Sequence, residues 1–376
     1  MFAQYGRAVT PRRILTSLVL CLALASVVVQ AAGADEAGNP RTLLTTRAPI
    51  RAFAQGSSRI AWIGAKWHVD VRGNGRRPKT VRLGTAHPYT GNSGVPLHLA
   101  VAGTRVLWTR QGGGNLFETS VCVRKTGSGH APKIVFLASS VREGGPGSYF
   151  GPVVGVGSTL AYSAVDYECV DQNDCSQLAE APSRVNGVFR VIGTSWSTQL
   201  PAVVPAATEL AVSGNRLALL PAPEQVAATQ LTDPSSPPPA AAGTAVQIRD
   251  ATTGSLVTQF TPPGTVRALA LSGGVAAVVD DLGGGTRAIE RYDATTGALL
   301  GTTGNIAVGD ALSASGHTLV YAVGGGKIEA MDFETGALRV IGVSPTPPIG
   351  LSIAGKRVAW AVNVHGHGRV LALTLP

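Results

Sequence analysis

The chain reads as all-β: a seven-bladed β-propeller of four-stranded antiparallel blades, its ring closed by an N-terminal strand in the last blade. Three observations predict this. The first is a phrase that recurs seven times, an apolar run, a glycine, and an apolar pair usually capped by an aromatic. Its copies are 53–62 (FAQGSSRIAW), 99–108 (LAVAGTRVLW), 153–162 (VVGVGSTLAY), 210–219 (LAVSGNRLAL), 269–278 (LALSGGVAAV), 312–321 (LSASGHTLVY) and 351–360 (LSIAGKRVAW). The second is the period. The glycines at 56, 103, 157, 214, 273, 316 and 355 are 47, 54, 57, 59, 43 and 39 residues apart, and a unit near 40–45 residues holding several short strands is one propeller blade. The third is that no stretch beyond the leader sustains a 3.6-residue apolar period, so helix is a minor component.

Residues 1–34 read as a secretory signal peptide and not as part of the fold. Arg7, Arg12 and Arg13 form a positive start, 14–29 is a 16-residue apolar run, and Ala32-Gly33-Ala34 offers a cleavage site before Asp35. The run is shorter than the ~20 residues a spanning helix wants. An uncleaved anchor is the alternative. Leu20 before Cys21, where a lipoprotein would carry a small residue, argues against lipid attachment. Cleavage leaves 342 residues, lowers the net charge from +9 to +6, and leaves no second apolar run able to span a bilayer. That excess looks thinly spread, with 72–79 (RGNGRRPK) read as an exposed turn, and no nucleic-acid partner is expected. The chain is therefore placed outside the cell or in its envelope, as a monomer.

After a short lead at 35–41, a single propeller domain runs from 42 to 376. Residues 42–46 are strand-like and belong to none of the seven units. The seventh unit is one strand short, since only 358–361 and 370–373 follow its phrase. Residues 42–46 are accordingly expected to supply the outer strand of the last blade, which removes an exposed edge.

The sixth unit shows the internal grammar, with strands at 311–314, 318–322, 327–331 and 337–341 bounded by Gly, Pro or Asp. Ala54, Ala100, Ala211, Ala270, Ser313 and Ser352 fall on innermost strands, where bulky side chains would not fit around the axis. Trp62, Trp108, Tyr162, Tyr321 and Trp360 end second strands, and packing between blades suits their large apolar area better than sugar stacking does. A second phrase, D-x-x-T-G at 250–254, 293–297 and 332–336, repeats at one topological position. Asp accepts hydrogen bonds from nearby backbone and Gly supplies positive φ, so this is a turn and not a metal or nucleophile motif.

Three cysteines follow the leader, Cys122, Cys169 and Cys175. In an exported protein they can form disulfides. Cys169 and Cys175 flank a short polar loop and are the favoured pair, with the other connectivities left open.

At 330–336 (AMDFETG) the chain resembles the quinoprotein-like and WD-repeat-like β-propellers, many of them bacterial and exported. The resemblance implies a rigid platform, commonly for protein or ligand recognition. Quinoprotein dehydrogenases carry a tryptophan four residues beyond the blade-phrase glycine and usually have eight blades. Here Val340, Thr258 and Gly301 stand at that position and seven blades are counted, so quinone binding does not carry over.

Propeller loops divide between two faces. Strand-two-to-three connections and inter-blade connections share one of them. The insertions 165–186 and 221–243, the latter Pro- and Ala-rich and read as an irregular loop, fall there. So do long inter-blade loops bearing His87, Tyr89, Tyr149 and Phe150. Loops on a rigid scaffold are where binding residues concentrate, so these four are the candidate contacts for a protein or glycan partner. The first alternative is a metal-dependent, lactonase-like hydrolase at the channel mouth, using Glu209, Asp310 and His98 with Arg51 and Arg267 nearby. A structural cell-envelope protein is the second. Asp171-Gln172-Asn173-Asp174 lacks the spacing of a calcium loop. His365-Gly366-His367 lacks a third zinc ligand. The triple glycines at 112–114, 283–285 and 324–326 precede strands and not the helix a phosphate cradle needs, and no G-x-S-x-G elbow occurs. Neither a catalytic group, a cofactor nor a metal is expected.

Overall fold

In the computed structural model of the chain, seven antiparallel sheets follow one another in sequence. The structure describes residues 39–73, 78–86, 98–112, 117–140, 147–171, 174–181, 186–201, 204–227, 243–306 and 308–376. The leader 1–34 lies outside them. Blade one is Ile50–Gln55, Arg59–Gly64, His68–Gly73 and Thr80–Thr85. Blade two is Leu99–Ala102, Arg105–Gly112, Phe117–Lys125 and Lys133–Ser140. Blade three is Gly147–Val156, Thr159–Asp171, Gly187–Ile192 and Trp196–Gln199. Blade four is Ala207–Ser213, Arg216–Pro221, Val246–Asp250 and Leu256–Phe260. Blade five is Thr265–Ser272, Val275–Gly283, Thr286–Asp293 and Leu299–Ile306. Blade six is Val308–Ser315, Thr318–Val323, Lys327–Asp332 and Leu338–Val343. Blade seven is Gly350–Ala354, Arg357–Val364 and His367–Thr374, with Arg41–Thr46 paired antiparallel to His367–Thr374 as its fourth strand. Helix among the described residues is confined to the 3₁₀ turn Gly324–Gly326.

The seven phrases pair in one register. Phe53, Leu99, Val153, Leu210, Leu269, Leu312 and Leu351 each face the last residue of the phrase, Trp62, Trp108, Tyr162, Leu219, Val278, Tyr321 and Trp360. The identical register follows from one hairpin. In blades two to seven the glycine has φ of 55–59°, the first central position of a II′ turn, whose twist matches that of the strands. Blade one departs from this. Its turn closes with Gly56 N–H donating to Arg59 O at 2.9 Å, so Ser57 and not Gly56 occupies the glycine's place. The first copy is thus shifted by one residue from the alignment its glycine suggests.

Trp62, Trp108, Tyr162, Tyr321 and Trp360 are all buried, at 0–3% exposure, between neighbouring blades. Each ring withdraws roughly 150–250 Å² from water, on the order of 4–6 kcal/mol at ~25 cal/mol/Å². The polar end of Trp108 bridges two blades, whereas that of Tyr162 bonds within its own blade. The Trp108 indole N–H donates to Thr85 O (3.2 Å), and the Tyr162 hydroxyl lies 2.7 Å from that of Ser197.

A second recurring device lies in the phrase, the arginine that opens four of the seven second strands. Arg59 donates to Gly103 O (2.9 Å) and Arg216 to Ala294 O (2.8 Å), in each case reaching the next blade's turn. Arg105 reaches Val191 O and Gly193 O of blade three (3.1 and 2.7 Å). Arg357 donates to Gln55 Oε1 (2.9 Å), and Gln55 Nε2 returns to Arg357 O (2.8 Å), so the first blade is latched to the last.

The D-x-x-T-G segments are Asx turns. Asp250, Asp293 and Asp332 each accept two backbone N–H bonds of 2.7–3.0 Å, and Gly254, Gly297 and Gly336 sit at φ of 72–75°. Those donors hold all three carboxyls below the usual carboxylate range.

Candidate functional site

The second strand of blade three is the longest among the described residues, at 13 residues, because it outruns its blade. Its end turns back as Asp174–Glu180, with Tyr167 opposite Glu180 and Asp171 opposite Asp174. Asp174–Glu180 pairs in turn with Gln225–Ala227, from the blade-four insertion. The three strands carry their own small core of Val165, Tyr167, Leu178, Ala206 and Val226. Tyr167 donates its hydroxyl to Pro223 O (2.9 Å), and Glu180 N–H donates to Glu224 O (2.8 Å). Burial drives the Tyr167 phenol far above its ordinary range, so it stays protonated as that donor.

These insertions are therefore not plain loops. The segment 221–243 reads as too broken to contribute to a core, yet Val226 is only 2% exposed. The physical reason is an apolar residue on each strand, at Tyr167, Leu178 and Val226, which together exclude water although no single segment looks like core. The Cys169–Cys175 disulfide spans the tip, with Cα atoms 4.8 Å apart. Cys122 is free and buried. Beyond the disulfide the tip is open: Glu168, Asp171 and Asp174 are exposed, and Val170 is 56% exposed.

Of the four predicted contacts, His87 and Tyr89 lie outside the described residues. Tyr149 is on the innermost strand of blade three, its backbone opposite Val165 at the base of the insertion. Phe150 is a correction. It is 4% exposed and packs with Leu107, Val121, Tyr162 and Phe189 between blades two and three. Its place in the alternation of an innermost strand sends the ring inward, so it presents nothing to a partner.

The axis is a small channel of about 300 Å³, lined from all seven blades by residues such as Ala54, Ala100, Val154, Ala211, Ala270, Ser313 and Ser352. Of the channel-mouth trio, Glu209 is the third residue of the innermost strand of blade four, Asp310 is on that of blade six, and His98 precedes that of blade two. His98 Nε2 is buried without a partner among the described residues, and burial lowers its pKa to about 4, leaving a neutral ring. Among the described residues, His, Cys, Asp and Glu side chains do not gather in threes. His365 and Gly366 have φ of 50° and 79° and form a tight hairpin between Val364 and His367.

One constellation has no signal in the sequence beyond Asp280-Asp281. Asp280 and Glu290, on adjacent strands of blade five, are both buried, and the Tyr292 hydroxyl donates to Glu290 Oε2. Tyr292 stacks on Phe260 of blade four with ring centroids 3.9 Å apart. Asp280 accepts from Gly264 N–H (3.0 Å), and its other oxygen is without a partner among the described residues.

No family model matches the chain, and no curated protein matches it. Solved structures do. The chain is 11% identical to the WD40 β-propeller domain of Doa1, over 88% of this chain and 96% of that one, with a TM-score of 0.48. It is 13% identical to the β-propeller domain of Cps50 (Swd1) from Myceliophteria thermophila, over 89% and 100%, at 0.49. The computationally designed protein Ika8 matches at 16% identity over 88% and 98%, at 0.46. At such values the architecture rests on the strand pairing itself: an all-β, seven-bladed propeller of four-stranded antiparallel blades.

Proposed function

We propose that this chain is an exported, non-catalytic binding scaffold that docks a protein partner on the insertion-bearing face of blades three and four. One observation carries the reading. The only strand of the ring that outruns its blade among the described residues ends in a disulfide-clamped hairpin with a core of its own. Ordering such a tip before contact lowers the entropy lost on binding. Exposed carboxylates around an exposed valine give it a charged rim and an apolar centre, the arrangement of a small docking surface. The sign selects a partner with a basic patch and steers its approach.

The test is capture from the envelope and medium fractions, comparing wild type with a variant carrying Val170→Asp, Asp171→Lys and Asp174→Lys. A defined partner lost from the variant supports the reading. Identical capture by both proteins overturns it and favours a structural envelope role. A stoichiometric divalent ion in the purified protein, removed by Glu209→Gln, would instead favour the channel-mouth hydrolase. Mass analysis of exported protein beginning at Asp35 checks the leader.

A further inference from the structure

The positive charge that looks thinly spread along the sequence is sorted in space. Residues 39–140 and 350–376, which build blades one, two and seven, contain 18 Lys and Arg but only 2 Asp and Glu, Asp70 and Glu118. Residues 141–349 contain 10 and 18. The basic segments lie at opposite ends of the chain. They become neighbours where blade seven meets blade one, joined by the pairing of Arg41–Thr46 with His367–Thr374, by a shared apolar core and by the Arg357–Gln55 latch. Counted over the described residues, one arc of the ring thus has a formal charge of +14 and the remainder −8.

Like charges approach one another in the basic arc and at its border with blade three. Arg357 lies close enough to Arg41, and Arg105 to Arg190 on the third strand of blade three, for repulsion to add to burial in lowering their pKa values. The Arg82–Asp70 contact, at 3.4 Å, is the ion pair of this arc among the described residues. Unpaired charge of one sign is costly to the folded state, and an anionic ligand relieves it.

We propose that blades seven, one and two form a binding surface for an acidic polysaccharide. Two features favour such a chain over other polyanions. The exposed basic residues are not on one plane: Arg47 and Lys66 lie toward the insertion-bearing face, Lys125 and Lys356 by the opposite turns, and Lys79 and Lys133 on outer strands or just before them. A flexible chain can follow that curved rim, whereas a bilayer meets one plane. The described aromatic rings of this arc are also spent. Trp62, Trp108 and Trp360 are buried, and Trp67 carries the Arg51 guanidinium at 4.1 Å. Unpaired bases would find no stacking platform there. This surface is separate from the hairpin of blades three and four, so either can fail without the other.

The experiment measures binding of heparin and polygalacturonate to the purified protein, with dextran, oligo(dT) and phosphatidylglycerol vesicles as comparison arms. Both acidic polysaccharides should bind and dextran should not, with affinity falling roughly tenfold or more between 50 and 300 mM salt, as counter-ion release and screening require. The triple variant Lys125→Glu, Lys133→Glu and Lys356→Glu should weaken binding at least about tenfold at low salt. All three side chains are exposed, so its melting temperature should be unchanged. Lys327→Glu, an exposed lysine of blade six, should bind as wild type does. No binding, equal loss in Lys327→Glu, full binding by the triple variant, or tighter binding of oligo(dT) or vesicles would each overturn the proposal.

Discussion

At the scale of single residues, the fold holds two populations of carboxylates with opposite effects on stability. Asp250, Asp293 and Asp332 accept backbone N–H bonds that lower their pKa values. What they contribute is present above the ordinary carboxylate pKa and is lost as pH falls through their depressed values. Asp280 and Glu290 are the reverse. Burial raises both, and repulsion from a neighbouring carboxylate adds to it, Asp281 acting on Asp280 and Asp280 on Glu290, although Gly264 N–H and the Tyr292 hydroxyl partly oppose it. Such groups bind more protons folded than unfolded, so their contribution is full below the ordinary pKa and fades as pH rises through the raised values. Stability should therefore pass through a maximum on the acid side of neutrality. Asp280→Asn keeps an acceptor for Gly264 and removes the buried charge. It is expected to raise the melting temperature at pH 8 by a few degrees, about 1–3 kcal/mol, with little change at pH 4. A variant less stable at pH 8 would show the ionised carboxylate to be needed. Asp332→Ala should act in the other direction, costing stability at pH 7 and less at pH 3, as followed by thermal melts across pH.

At the scale of elements, legibility follows the distance between partners. The blade hairpins were readable because Leu351 and Trp360 are nine residues apart and meet across a two-residue turn. The Asx turns were readable because Asp332 and Thr335 bond within one phrase. The hairpin of blades three and four was not, since Leu178 opposes Val226, almost fifty residues away. A three-residue strand beside a Pro- and Ala-rich segment carries no alternation to detect. Phe150 misled for a related reason, because a ring near a long loop looks available until its strand partner Ala164 fixes the side it faces. Deleting all of 221–243 should consequently destabilise the hairpin, whereas deleting only 228–242 with a short Gly-Ser join should not. Val226→Ala should cost about 1–3 kcal/mol. Reduction of Cys169–Cys175, which closes a loop six residues long, should cost roughly 2 kcal/mol in the chain-entropy account. Hydrogen exchange should place both losses in 159–180, with the Trp360 hairpin of blade seven still protected. Uniform loss of protection would mean that the hairpin and ring unfold as one unit.

At the scale of the whole molecule, the order of the blades was legible and the sorting of charge was not. Composition averages over a chain whose two basic ends become adjacent only in the ring. The same junction sets the clearest stability test. Arg41–Thr46 pairs with His367–Thr374, and Leu43 and Leu44 pack with Ile50, Phe53, Trp62 and Val370. Ile50 N–H and C=O are both bonded by the Asn363 side chain at 2.8 and 2.9 Å. Removing 39–46 bares the backbone of His367–Thr374 along a full edge and exposes apolar surface on both sides of the junction. Gln55→Ala removes the latch to Ser352 O and Arg357 while leaving the outer strand paired. The latch alone should be worth about 1–3 kcal/mol, a fall of roughly 1–4 °C in a domain of this size. The truncation should cost several kcal/mol, roughly 5 °C or more, and raise aggregation at high protein concentration. If both variants melt together, the outer strand adds nothing beyond the latch, and the ring is held at this junction by side chains instead of strand pairing.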